Sequence, residues 1–202
     1  VAPTIDSGNT AWPLVSTALV MVMTPGLAFF YAGMVGKKNV VSTLLQNFVA
    51  LAVVGVLWVV AGYSLVFTES NGFIGSFDQV MLKGIANTVY PDAKVPNFAY
   101  MLFQMMFAII TPALITGVFI GRIRFTAWLL ILVLWSLFVY APVAHWLWGP
   151  KGWGANMGAI DFAGGMVVHV TAGFSALVCG FLFGERRKSS EKIPYDVPMI
   201  LL

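Results

Sequence analysis

The sequence predicts an all-α membrane protein with five transmembrane helices. Two observations carry this: how few residues are charged, and where those few sit. Of 202 residues, 59% are hydrophobic and 9% charged, against roughly 45–50% and about 25% in soluble domains. Too few charges remain to build a water-facing surface. The uncharged stretches cover residues 7–36, 39–68, 95–121, 125–150 and 162–184, and about 20 residues of helix cross a bilayer.

The spans are expected at 10–35, 40–66, 97–121, 125–147 and 162–184 within a single transmembrane domain over residues 1–202, and the start of a sixth from residue 198. The first follows Val1-Ala-Pro-Thr-Ile-Asp6, which has no basic start before a short apolar run, so it reads as a span and not as a secretory signal. Pro25-Gly26 interrupts it, and Thr111-Pro112 interrupts the third. Proline removes a backbone donor, which a membrane helix tolerates where neighbours or waters satisfy the freed carbonyl. Both helix packing and the lining of a pore account for such breakers. Between the second and third spans lies the one long connection, residues 69–96, with Gly72, Gly75, Pro91, Pro96 and the acids Glu69, Asp78 and Asp92. A short helix is expected around Phe77 to Ile85. After the fifth span the chain resumes as Val197-Pro198-Met199-Ile200-Leu201-Leu202, the entrance to a further span, so a longer protein is expected.

Orientation follows from the basic residues, which favour short cytoplasmic loops. Eight of the 11 Lys and Arg fall on one side: Lys37, Lys38, Arg122, Arg124, Arg186, Arg187, Lys188 and Lys192. Lys83, Lys94 and Lys151 fall on the other. This places the N-terminus and loop 69–96 outside in a cell (plasma or inner) membrane. The basic residues form no patch with interleaved aromatics, so nucleic acid is not an expected partner. Lone Cys179 excludes a disulfide within the chain and reads as a small packing residue.

His169 lies near the middle of the fifth span. Burying an ionisable group there costs several kcal/mol unless it is paired or neutral, so it is either a neutral imidazole bonded between helices or one facing a conduction path. Gly165, His169 and Gly173 are four apart and are expected on one helix face, beside a small strip of Ala172 and Ala176. Asp161 precedes the same span and is placed to accept from its first free amides, while its charge favours a cation nearby. Phe103, Phe107 and Thr111 share a face of the third span, and Trp148 stands at the outer end of the fourth, where aromatic belts occur. His145 reads as a structural residue at the wet interface. There is no phosphate-cradling loop, metal cluster or nucleophile beside a base, so neither a cofactor nor an enzyme is expected. An intramembrane hydrolase built on Asp161 and His169 lacks a nucleophile.

Three ordered motifs carry a resemblance: residues 25–35, Pro-Gly-Leu-Ala-Phe-Phe-Tyr-Ala-Gly-Met-Val, followed by Lys38-Asn39; Ala144-His145-Trp146-Leu147-Trp148-Gly149; and Asp161-Phe162-Ala163-Gly164-Gly165-Met166-Val167-Val168-His169. Together they resemble the Amt/Mep/Rh ammonium transporter family, on the Amt side, over essentially the whole chain. The resemblance implies five helices forming the first inverted half-repeat of an eleven-helix fold, assembled as a homotrimer with a pore in each subunit. By that resemblance His169 is the first of two pore histidines, the second lying beyond Leu202. Trp148 and Phe107 match an outer ammonium-recruitment site, and Phe107 with Phe103 a pore gate. Two departures stand out: Gly121 where an acid often precedes Arg122-Ile123-Arg124-Phe125, and Pro150-Lys151 in place of a glycine stretch, which adds a positive charge near the entrance.

A bare ammonium ion entering an apolar channel costs tens of kcal/mol, whereas a desolvated cation–π contact returns about 2 kcal/mol. Aromatics therefore select the ion without carrying it through. The implied mechanism is recruitment of ammonium at Trp148 and Phe107, loss of a proton, and passage of ammonia along His169, with or without separate conduction of the proton. Two rivals share the fold: an ammonium-sensing receptor, and an electroneutral Rh-type gas channel. A cytoplasmic regulatory protein is a further candidate partner.

Overall fold

The computed structural model describes residues 4–86, 88–90, 93–185 and 195–202. The basic run Arg186-Arg187-Lys188 with Lys192, and Pro91-Asp92 of the long connection, lie outside them. Five helices are long and apolar enough to cross a membrane: α1 (Ser7–Gly33), α2 (Lys37–Phe67), α3 (Asn97–Phe119), α4 (Phe125–Asn156) and α5 (Gly165–Phe183). A short α6 (Val197–Leu201) follows.

α3 is the central helix, burying Met101, Ala108, Ile109, Thr111, Ala113 and Thr116 among its neighbours. α1 reaches it through small residues: Thr24, Ala28 and Ala32 are buried one turn apart, which lets two backbones approach closely. The Tyr31 hydroxyl then donates to the Leu114 carbonyl at 2.7 Å, and its ring leaves only 3.2 Å to a Cβ built on Gly117. α2 buries Thr43, Asn47, Ala50 and Val54, and the Trp58 indole donates to Met101 O at 3.2 Å. Helical structure continues through both Pro25 and Pro112. The irregular turns lie elsewhere: α2, α4 and α5 each contain a π-turn, at Trp58–Gly62, Ser136–Tyr140 and Gly165–Val170. Such turns bond i to i+5 and occur mostly as single turns within α-helices.

The long connection holds a 3₁₀ turn at Val80–Leu82 in place of the helix expected over residues 77–85. Met81 and Leu82 take φ of 55° and 58°, a left-handed conformation that cannot propagate an α-helix. A two-stranded hairpin follows, β1 (Val89–Tyr90) against β2 (Val95–Pro96), antiparallel. It stacks Tyr90 on Tyr100 of α3 at 4.1 Å and ties down the start of α1, where the Asp6 amide donates to Lys94 O at 3.0 Å. Asp6 itself caps α1, accepting from Asn9 N at 2.7 Å.

Candidate aromatic and histidine site

The site starts at the end of α4's main helical run. Trp148 is its last residue, and its indole donates to the Asp161 carbonyl at 3.0 Å. That bond crosses the connection to α5 and fixes the ring at the end of the bundle that carries the long loop. Phe107 of α3 meets it edge to face, with centroids 5.7 Å apart and planes at 68°. One turn along α3, Phe103 meets Phe107 at 5.0 Å and 86°. These edge-to-face geometries place a positive ring edge against a negative ring face. One turn the other way, the Thr111 hydroxyl donates to Phe107 O at 2.5 Å. The spacing of four on α3 thus yields one cluster of three aromatic rings.

Asp161 serves the cap expected of it. Its Oδ2 accepts from Met166 N at 3.1 Å and Val167 N at 2.8 Å. The chain reaches that cap through Gly164, with φ of +79°, where an added Cβ would lie 2.8 Å from Val168 Cγ2. Glycine is the residue that takes this conformation without cost. From there α5 opens as a π-turn, and the His169 amide bonds Gly164 O at 3.0 Å. The His169 side chain is exposed on this chain, as are Gly165 and Gly173. Their register is that of a widened turn, not of an unbroken α-helix. Among the described residues no side-chain hydrogen bond or ring contact joins His169 to the aromatic cluster.

His145 departs from expectation. It is fully buried, not at a wet interface, and its Nδ1 lies 2.7 Å from the Val66 carbonyl. The bond requires the proton on Nδ1, so His145 caps one of the unpaired carbonyls at the end of α2. Lys151 departs as well: its ammonium is 2.6 Å from Glu69 Oε2, so the charge added near Trp148 is paired. The same corner is stitched by Trp146 Nε1 donating to Phe73 O at 2.8 Å and Trp153 N to Gly72 O at 3.2 Å. Sequence reasoning missed Tyr140, which is buried beside Trp58, with ring centroids 6.3 Å apart. Nothing in its local sequence marks it. Cys179 is half-buried and free. Among the described residues no group of three or more His, Cys, Asp or Glu is placed to hold a metal ion.

A model of the Ammonium Transporter Family matches residues 11–202. The chain belongs to that family. It is 49% identical over 201 residues to an ammonium transporter of Aquifex aeolicus, covering 98% of this chain and 47% of that protein. Among solved structures, Mep2 of Candida albicans superposes with a TM-score of 0.88 at 33% identity, covering 98% of this chain and 45% of that one. A protein described as a Sensor Amt Protein superposes at 0.86 with 26% identity, covering 96% of this chain and 50% of that one. The chain thus spans about half the length of the ammonium transporters it matches, and corresponds to the N-terminal half of the family fold.

Proposed function

We propose that the protein carrying this chain is an ammonium transporter of the cell membrane, trimeric, with its N-terminus outside. Ammonium is held by Trp148 and Phe107 at the mouth; Phe107 and Phe103 form the gate; ammonia then passes His169. The observation that carries the reading is the edge-to-face contact of Phe107 with Trp148 at the end of the bundle, with the Asp161 carboxylate capping the helix that bears His169. Aromatic faces attract a cation by their quadrupole, and the Asp161 charge favours a cation over a neutral amine at the same place. An exposed imidazole within a span, in its opening turn, suits a pore wall completed by the rest of the protein.

The test is ammonium-evoked current in liposomes containing the full-length protein and its His169→Ala variant. Loss of current, or of selectivity for ammonium, supports the pore assignment; unchanged current and selectivity overturn it. Ammonia flux without current in the parent protein would instead identify an electroneutral channel. A receptor is the second reading, favoured by the superposition on the Sensor Amt Protein. It predicts saturable ammonium binding with no flux. A cytoplasmic regulatory protein would dock on the face bearing Arg122 and Arg124.

A further inference from the structure

We infer that Thr171 is a positioning residue for His169, acting by holding the π-turn that aims the imidazole. The inference rests on the reading of His169 as a pore residue, but its geometry is independent of that reading. The turn spans Gly165–Val170, and ordinary α-helix resumes at Thr171. Both donors of Thr171 converge on one acceptor: its amide and its hydroxyl each bond Met166 O, the hydroxyl at 2.9 Å. Other helical hydroxyls in the spans bond a carbonyl three or four residues back, as Ser42 and Thr43 do to Asn39, Thr111 to Phe107, and Ser136 to Leu132, the usual helical pattern. Thr171 reaches five back. Only a widened turn brings that carbonyl within range, so the hydroxyl bond exists in the π form and is lost in the α form.

The same residue is tied to a neighbouring helix. Ser175 Oγ donates to Thr171 O at 2.8 Å and accepts from the Trp135 indole of α4 at 3.0 Å. At the other end of the turn, Asp161 holds Met166 N and Val167 N, and Gly164 supplies the left-handed entry. The π-turn is therefore clamped at both ends. A π-turn takes one more residue than an α-turn, so its collapse would rotate the residues on one side relative to the other by about 100°. His169 lies inside the turn. A rotation of that size carries the imidazole off its present line and brings a neighbouring valine, Val168 or Val170, towards it. Thr171 is half-buried and two residues from His169, so it acts through the backbone.

The experiment uses the full-length protein in lipid, comparing Thr171→Val, which keeps the branched shape without the hydroxyl, with Thr171→Ser, which keeps the hydroxyl. The readouts are the ¹⁵N ring resonances of His169, assigned by their disappearance in His169→Gln, and the ratio of methylammonium to ammonium flux. Thr171→Val is expected to shift the His169 resonances and change the flux ratio at least threefold, with Thr171→Ser close to the parent. Parent-like resonances in a folded Thr171→Val protein overturn the inference. If that variant does not fold, Ser175→Ala takes its place, and parent-like resonances there overturn it equally. Altered resonances with flux that does not depend on His169 would retain the positioning role and reject the pore reading instead.

Discussion

Replacing His145 with phenylalanine removes a single hydrogen-bond donor from a place where nothing else can supply one. The imidazole is 0% exposed, and so is Val66, whose carbonyl it meets at 2.7 Å. Val66 lies in the last turn of α2, where carbonyls have no further helical amide to accept from. Phenylalanine fills similar space, so packing is largely kept; it also removes Nε2, which is buried without a partner, so the loss of the bond is an upper bound on the change. A buried carbonyl left without a partner costs about 1–3 kcal/mol. At roughly 2–4 °C per kcal/mol for 150–250 residues, and about half that for a protein twice as long, the unfolding midpoint should fall by about 1–6 °C. The assay is thermal unfolding of the full-length protein in detergent, followed by tryptophan emission, since Trp146 and Trp148 adjoin the site. His145→Gln retains an amide donor and should recover part of the loss. A His145→Phe protein at least as stable as His145→Gln would refute the capping role.

Two further outcomes follow from the same end of the bundle. Gly75→Ala should reduce the yield of folded protein more than any exposed substitution in the loop, because the new Cβ would lie 2.5 Å from Ser64 O and 2.8 Å from Leu65 O, both backbone atoms that cannot give way; size-exclusion of membrane extracts reports this. Glu69→Gln should leave the unfolding midpoint within about 2 °C of the parent, since the Lys151–Glu69 side chains are 65% and 64% exposed and pairs of that kind contribute about 0–1 kcal/mol.

Much of the architecture was legible because a bilayer imposes one dominant rule. Charges cannot sit in hydrocarbon, so the gaps between them outline five helices without any appeal to periodicity. Asp161 was legible for a local reason, since a carboxylate before a glycine-rich helix start has amides to accept from. The ring contact of Phe103 with Phe107 was legible because helical neighbours four apart must meet. What was hidden depends on distant partners or on turn geometry. His145 sits among tryptophans and glycines that suggest an interface, and its partner, Val66, is 79 residues away. Lys151 reads as a free charge until Glu69, equally remote, is brought beside it. Residues 77–85 carry an apolar pattern suited to a helix, yet Gln79 N is drawn to the Ser64 hydroxyl at 3.0 Å and Met81 turns left-handed. The π-turns left no trace because the segments holding them are apolar apart from Ser136 and His169, so a shift of phase changes little in the visible pattern.

The way α1 is held has a consequence for biosynthesis. Its long-range hydrogen bonds come from residues made much later: Tyr31 needs Leu114, Asp6 needs Lys94, and the Gly33 carbonyl receives the amide of Asp196. Some sixty residues separate the end of α1 at Gly33 from the start of α3 at Asn97, which at 5–20 residues per second is roughly 3–12 s of synthesis. Throughout that interval the first helix has only α2 to pack against. Nascent chains halted before residue 97 should therefore carry a first helix held by α2 alone, open to capture by chaperones or quality-control proteases. Chains halted after α3 has emerged should not.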